Sequence, residues 1–206
     1  MIGKKVRSNL MNEIKQIIRR INMNVSSSKQ NIKVLSFVTD MEENIEKTLI
    51  VNMAMMYGFA GKKTLILDTD FGNEAIAHTF HIDSKNGLSD YLEGKVTELS
   101  KIENQIQNKN ISIIAAGSLA KAETDYLIGD PRFEELLTKL RSEYDTILIV
   151  TPRFQNQAVM ENILHKSDGA ILVASTGKST KRKMYKLIKS VSQSDTELLG
   201  YVAVKR

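Results

Sequence analysis

Asp68 and Asp70 stand one residue apart at the end of the apolar run K-K-T-L-I-L-D, residues 62–68. Paired carboxylates at a strand end can bind a cation. The plainer reading is that Asp68 is a structural hydrogen-bonding residue. Upstream, the segment T-D-M-E-E-N-I-E-K-T, residues 39–48, joins the strand-like run N-I-K-V-L-S-F-V, residues 31–38, to a helical stretch over 45–60. A nucleotide-binding α/β protein carries G-x-x-x-x-G-K-[ST] at this position, because its glycines let successive backbone N–H groups turn inward around phosphate. Here the segment has no glycine, and Lys47-Thr48 is what remains of the K-[ST] pair. Met41, Glu43 and Ile45 carry side chains where a phosphate cradle needs none. Asp40, Glu42, Glu43 and Glu46 add carboxylates, each costing about 3 kcal/mol at about 5 Å from a phosphate charge and an effective dielectric near 20. The same acids also suit a helix N-terminus, where they complement the macrodipole.

Other candidate groups carry less. Gly177-Lys178-Ser179-Thr180 reads G-K-S-T between a strand and a helix, but the upstream glycine position is Leu172, inside the strand, so the segment reads as a βα loop with a capped helix start. His78, His81 and His165 lack metal-ligand spacing, and the absence of cysteine excludes disulfides, thiolate metal sites and a cysteine nucleophile. The net charge of +5 gathers at Lys178, Lys181, Arg182, Lys183 and Lys186, and at Lys4, Lys5 and Arg7. Neither cluster is interleaved with aromatics, so nucleic acid is not expected and a solvated helix face is.

The elements that would position these residues alternate. Strands are expected at 31–38, 62–68, 111–115, 146–150, 169–174 and 198–204, with helices around 45–60, 133–142, 157–165 and 181–192. This order predicts an α/β fold, a mostly parallel sheet with helices on both faces, whose ligands bind beyond the carboxyl ends of the strands. At 206 residues the chain suits one such domain over 31–206. Residues 1–30 form an N-terminal arm. Within it Ile14, Ile17, Ile18 and Ile21 mark one helical face, and residues 24–30 read as a loop. No apolar run of membrane-spanning length is present, and a cytoplasmic location is expected.

Several segments together resemble one family. K-K-T-L-I-L-D-T-D-F, Phe80, G-L-S-D-Y-L-E-G at 87–94, A-A-G-S at 115–118, R-F-E-E-L-L at 132–137, Y-D-T-I-L-I at 144–149, Thr151-Pro152, Asp168-Gly169 and Leu199-Gly200 are similar, in order and spacing, to the bacterial tyrosine kinases of capsule and exopolysaccharide operons. Those kinases are P-loop proteins of the MinD/ParA type. The resemblance implies a cytoplasmic domain that works with a membrane-spanning polysaccharide co-polymerase.

Position by position, the resemblance also marks what this chain has lost. With Asn52-Met53-Ala54 setting the register, Glu43 and Ile45 replace the loop glycines, Glu46 the lysine and Lys47 the next hydroxyl residue, while Thr48 agrees. A one-residue slip restores Lys47-Thr48 as the K-T pair but leaves Met41 and Glu46 at glycine sites. Val150 replaces the aspartate that holds the magnesium water shell, Val159 a second aspartate, and Val204 an asparagine associated with adenine. The tyrosine-rich tail is absent. Asp68 and Asp70 persist from the motif that binds magnesium and activates the acceptor hydroxyl. The family's E-x-x-R-x-x-R subunit interface survives as Glu13-x-x-Gln16-x-x-Arg19.

The expectation is therefore a catalytically inactive relative, without a cofactor, that binds a co-polymerase, an active kinase paralogue or further copies of itself. The alternative is an ATP- and magnesium-dependent tyrosine kinase using Lys47, Thr48, Asp68 and Asp70. A MinD/ParA-like positioning protein is the third reading.

Overall fold

Apolar residues on both faces of each central strand dictate a sheet sandwiched between helices. The computed structural model describes residues 2–41, 44–106, 110–119, 126–154, 157–175 and 181–204. Its elements are α1 (Ile2–Ser27), β1 (Val34–Thr39), α2 (Ile45–Phe59), β2 (Thr64–Asp68), α3 (Ala75–Phe80), α4 (Leu88–Leu92), β3 (Glu103–Ile106), β4 (Ile111–Ile114), α5 (Pro131–Glu143), β5 (Thr146–Val150), α6 (Gln157–His165), β6 (Gly169–Ser175), α7 (Lys181–Ser192) and β7 (Glu197–Val204). The strands form one seven-stranded sheet in the order β3-β4-β2-β5-β1-β6-β7. All neighbours run parallel except β3, which pairs antiparallel with β4.

The two faces of β1 show how the layers divide. Leu35 and Phe37 point into a cluster with Ile18 and Ile21 of α1 and Leu49, Ile50 and Met53 of α2. Val34 faces the opposite layer, with Phe133, Leu136 and Leu140 of α5. Val38 meets Leu172, Met160 of α6 and Leu187 and Val191 of α7. Pro131 at the first turn of α5 and the Asp130 carboxylate, which accepts the Arg132 N–H at 2.9 Å, fix where that helix starts.

Two local expectations need correction. Helix α1 continues to Ser27, past the loop expected from Asn24, because its last turns are tied to other elements. Tyr57 Oη donates to Asn22 Oδ1 at 2.6 Å, and Asn24 Nδ2 donates to the Leu199 carbonyl. The first strand begins at Val34 rather than Asn31, where the Asp168 carboxylate accepts the N–H groups of Lys33 and Val34. The short elements α3, α4 and β3 lack the periodicity that would reveal them in sequence, since each spans six residues or fewer.

Candidate functional site

The carboxyl ends of β1, β2 and β5 lie side by side, with Asp68 in register with Val150. Alternation along β2 sends Leu65 and Leu67 toward α5 and Ile66 toward α2, so Asp68 also faces α2. Helix α2 answers with Lys47. Its Nζ donates to Asp70 Oδ2 at 2.7 Å, and the two side chains are 4% and 13% exposed. Asp70 Oδ2 accepts a second hydrogen bond, from Asn73 Nδ2 at 2.8 Å, while Asn73 Oδ1 accepts the Ala75 N–H at 3.1 Å. A continuous polar chain thus runs from the first turn of α2 through Asp70 and Asn73 to the start of α3.

Asp68 is fully buried at the root of this chain, and its Oδ1 accepts the Asp70 N–H at 3.0 Å. Burial pushes its carboxyl up to about 8, against a smaller downward pull from the Lys47 charge. At neutral pH the group is therefore mostly protonated. The Lys47–Asp70 ion pair has a mostly protonated Asp68 and the buried Glu46 as acidic neighbours. Beside it the chemistry is apolar, since Val150 and Met41 are buried in the same cluster as Phe37 and Leu49. Glu46 is buried as well, at 4% exposure.

The sequence-predicted residues separate in space. Successive helical positions diverge by about 100°, and while Lys47 points inward, Thr48 is exposed and its Oγ1 donates to the Asn44 carbonyl at 3.3 Å. Asp68 and Asp70 are brought together as expected, and Asp68 does serve as a hydrogen-bond acceptor. Val159 packs in the core with Phe133 and Ile163. Glu13 and Arg19 both lie exposed on α1. Lys181, Arg182, Lys183 and Lys186 line the exposed side of α7, and His78, His81 and His165 are on the surface. Glu42, Glu43, the G-K-S-T segment 177–180 and the side chains of Lys4, Lys5, Arg7 and Val204 fall outside the described residues.

Asn73 was missed by sequence reasoning. Its signal was present in D-x-x-N, residues 70–73, since an asparagine at a turn readily bonds to nearby backbone and side chains. Asp90 was missed too. One of its oxygens accepts the N–H groups of Gly87 at 3.0 Å and Ser118 at 2.9 Å, and the other accepts Ser118 Oγ at 2.5 Å. The G-L-S-D and A-A-G-S segments, far apart in sequence, are thereby one structural joint. Gly117 has φ +101° there, and a Cβ on it would lie 2.3 Å from Ser89 Oγ. Among the described residues, no group of three or more histidine or acidic side chains could hold a metal ion, and no helix is long and apolar enough to cross a membrane.

Comparison with known proteins agrees with this fold. The family profile described as AAA domain matches residues 45–199. Tyrosine-protein kinase CpsD of Streptococcus pneumoniae serotype 4 is 29% identical over 183 residues, which cover 88% of this chain and 80% of that protein. Tyrosine-protein kinase YwqD of Bacillus subtilis is 23% identical over 186 residues, covering 89% and 76% of the two chains. Among solved structures, the kinase domain of VpsO superposes with a TM-score of 0.81 at 21% identity, over 100% of this chain and 99% of that one. The chimerical protein CapA2B2 gives 0.81 at 19% identity, over 95% and 84%. The septum site-determining protein MinD of Pyrococcus horikoshii, complexed with Mg-ADP, gives 0.67 at 25% identity, over 82% and 68%.

Proposed function

Because the chain belongs to the AAA-domain family and resembles the capsule tyrosine kinases within it, we propose that it is a catalytically inactive member. Its role is that of a cytoplasmic binding and regulatory partner, held against a membrane polysaccharide co-polymerase or an active kinase paralogue during capsule or exopolysaccharide synthesis. The observation that carries this reading is the buried Lys47–Asp70 ion pair. Phosphoryl transfer depends on placing metal and positive charge around the transferred group. Here the chain's own ammonium is spent on the carboxylate that would place the metal.

The neighbouring residues support the same reading. Magnesium requires near-octahedral oxygen ligands at about 2.0–2.1 Å, and these residues do not fit it. Asp70 is engaged by Lys47 and Asn73, and the Val150 side chain offers no oxygen. Met41, the last residue described before the start of α2, is buried in the apolar cluster.

Calorimetric titration of the full chain with ATP and magnesium is expected to give no binding heat at millimolar ligand. Incubation with ATP is expected to produce no phosphotyrosine on the chain itself or on a co-purified partner. The cytoplasmic segment of a neighbouring co-polymerase should be retained in a pull-down without nucleotide. Micromolar ATP binding, or phosphotyrosine that disappears in Asp68→Ala, would establish the kinase reading instead.

A further inference from the structure

We infer that the Lys47 ammonium is a built-in replacement for a divalent cation, so that the α2–α3 junction is held permanently in place and needs neither metal nor nucleotide. This rests on the inactive-partner reading and says how the inherited site is kept closed.

Three observations converge on it. In the ungapped register Lys47 stands where a P-loop has its hydroxyl residue, the group that touches magnesium. The ammonium lies 2.7 Å from Asp70 Oδ2, buried, at the carboxyl ends of the strands where this sheet type binds its ligands. The contact also continues, through Asn73 Nδ2 on the same carboxylate oxygen and Asn73 Oδ1 on the Ala75 N–H, into the first turn of α3. In switch proteins a metal and a phosphate order the loops around them and release them when lost. A lysine tethered to its own helix cannot diffuse away, so closure of this junction does not depend on the concentration of any ligand.

The inference has a direct consequence for the vacated site. Removing the lysine frees the buried Asp70 carboxylate and the space its ammonium filled, so a hydrated divalent ion can enter with Asp70 as its protein ligand and water as the remainder. In thermal unfolding of the full chain at constant ionic strength, the wild-type midpoint is expected to be indifferent to Mg²⁺ and Ca²⁺. Lys47→Ala should melt lower in their absence and recover by about 5 °C or more, saturably, with Mg²⁺ or the larger Ca²⁺. The double variant Lys47→Met/Asp70→Asn, which removes both charges, should fold and ignore both ions.

The idea is overturned if Lys47→Ala responds to neither ion, if it stays insoluble when produced with them, or if the wild type and the double variant respond equally. Failure here differs from failure of the functional reading. A cation-indifferent Lys47→Ala beside a wild type that binds no ATP removes only the surrogate role, whereas ATP binding by the wild type removes the inactive-partner reading itself.

Discussion

Asp168→Ala is expected to lower the unfolding midpoint by about 10 °C, corresponding to roughly 3–5 kcal/mol for breaking a charged, multiply hydrogen-bonded pair in a domain of this size. Its Oδ2 accepts the N–H groups of Lys33 at 2.8 Å and Val34 at 2.7 Å and Arg141 Nη1 at 3.0 Å, while Oδ1 accepts Arg141 Nη2 at 2.9 Å. Arg141 Nη2 also donates to the Lys166 carbonyl at 3.0 Å. One side chain therefore joins the start of β1, the last turn of α5 and the turn before β6. Because Arg141 remains 33% exposed, water takes up part of the loss and the lower half of that range applies. Asp168→Asn keeps an acceptor for the two backbone donors and should lose about half as much. Chemical denaturation of the three proteins measures this, and equal stability of Asp168→Ala and wild type would refute it.

The second large effect is a dependence on pH. The Asp68 carboxyl is raised to about 8 in the folded chain and titrates near 4 when unfolded. Below about pH 4 both states hold the proton, and above about 8 both have lost it. Between these limits the unfolded chain ionises while the folded one does not, so stability falls as pH rises from about 4 to 8, at up to roughly 1 kcal/mol per pH unit. Asp68→Asn removes this titration while preserving an acceptor for the Asp70 N–H. The unfolding midpoint of the wild type should therefore decline between pH 5 and 8 more steeply than that of Asp68→Asn. Parallel profiles would place the titration on another group.

These two aspartates illustrate which parts of the family pattern this chain has kept. Asp168, like Asp90, holds backbone ends together and touches no candidate ligand position. Thr151, another retained residue, donates through its hydroxyl to the Phe37 carbonyl at 2.7 Å and ties β5 to β1. The altered positions, Met41, Glu46, Lys47 and Val150, gather at the one strand end where phosphate and metal would be handled. Asp68 and Asp70 persist beside them.

The parallel sheet and its helices on both faces were legible in the sequence alone. Buried parallel strands announce themselves as continuous apolar runs. The single helical face of Ile14, Ile17, Ile18 and Ile21 was legible from periodicity, whereas its packing on the chain's own core came from the tertiary structure. What the sequence left open was the state of the site. Lys47 and Asp70 are 23 residues apart, and no local pattern says that the ammonium of one reaches the carboxylate of the other. Only packing α2 across the ends of β1 and β2 turns Lys47 inward and Thr48 outward, buries Asp68 so that it keeps its proton, and recruits Asn73 to the same oxygen. Distance and burial set these charges, and both belong to the tertiary structure.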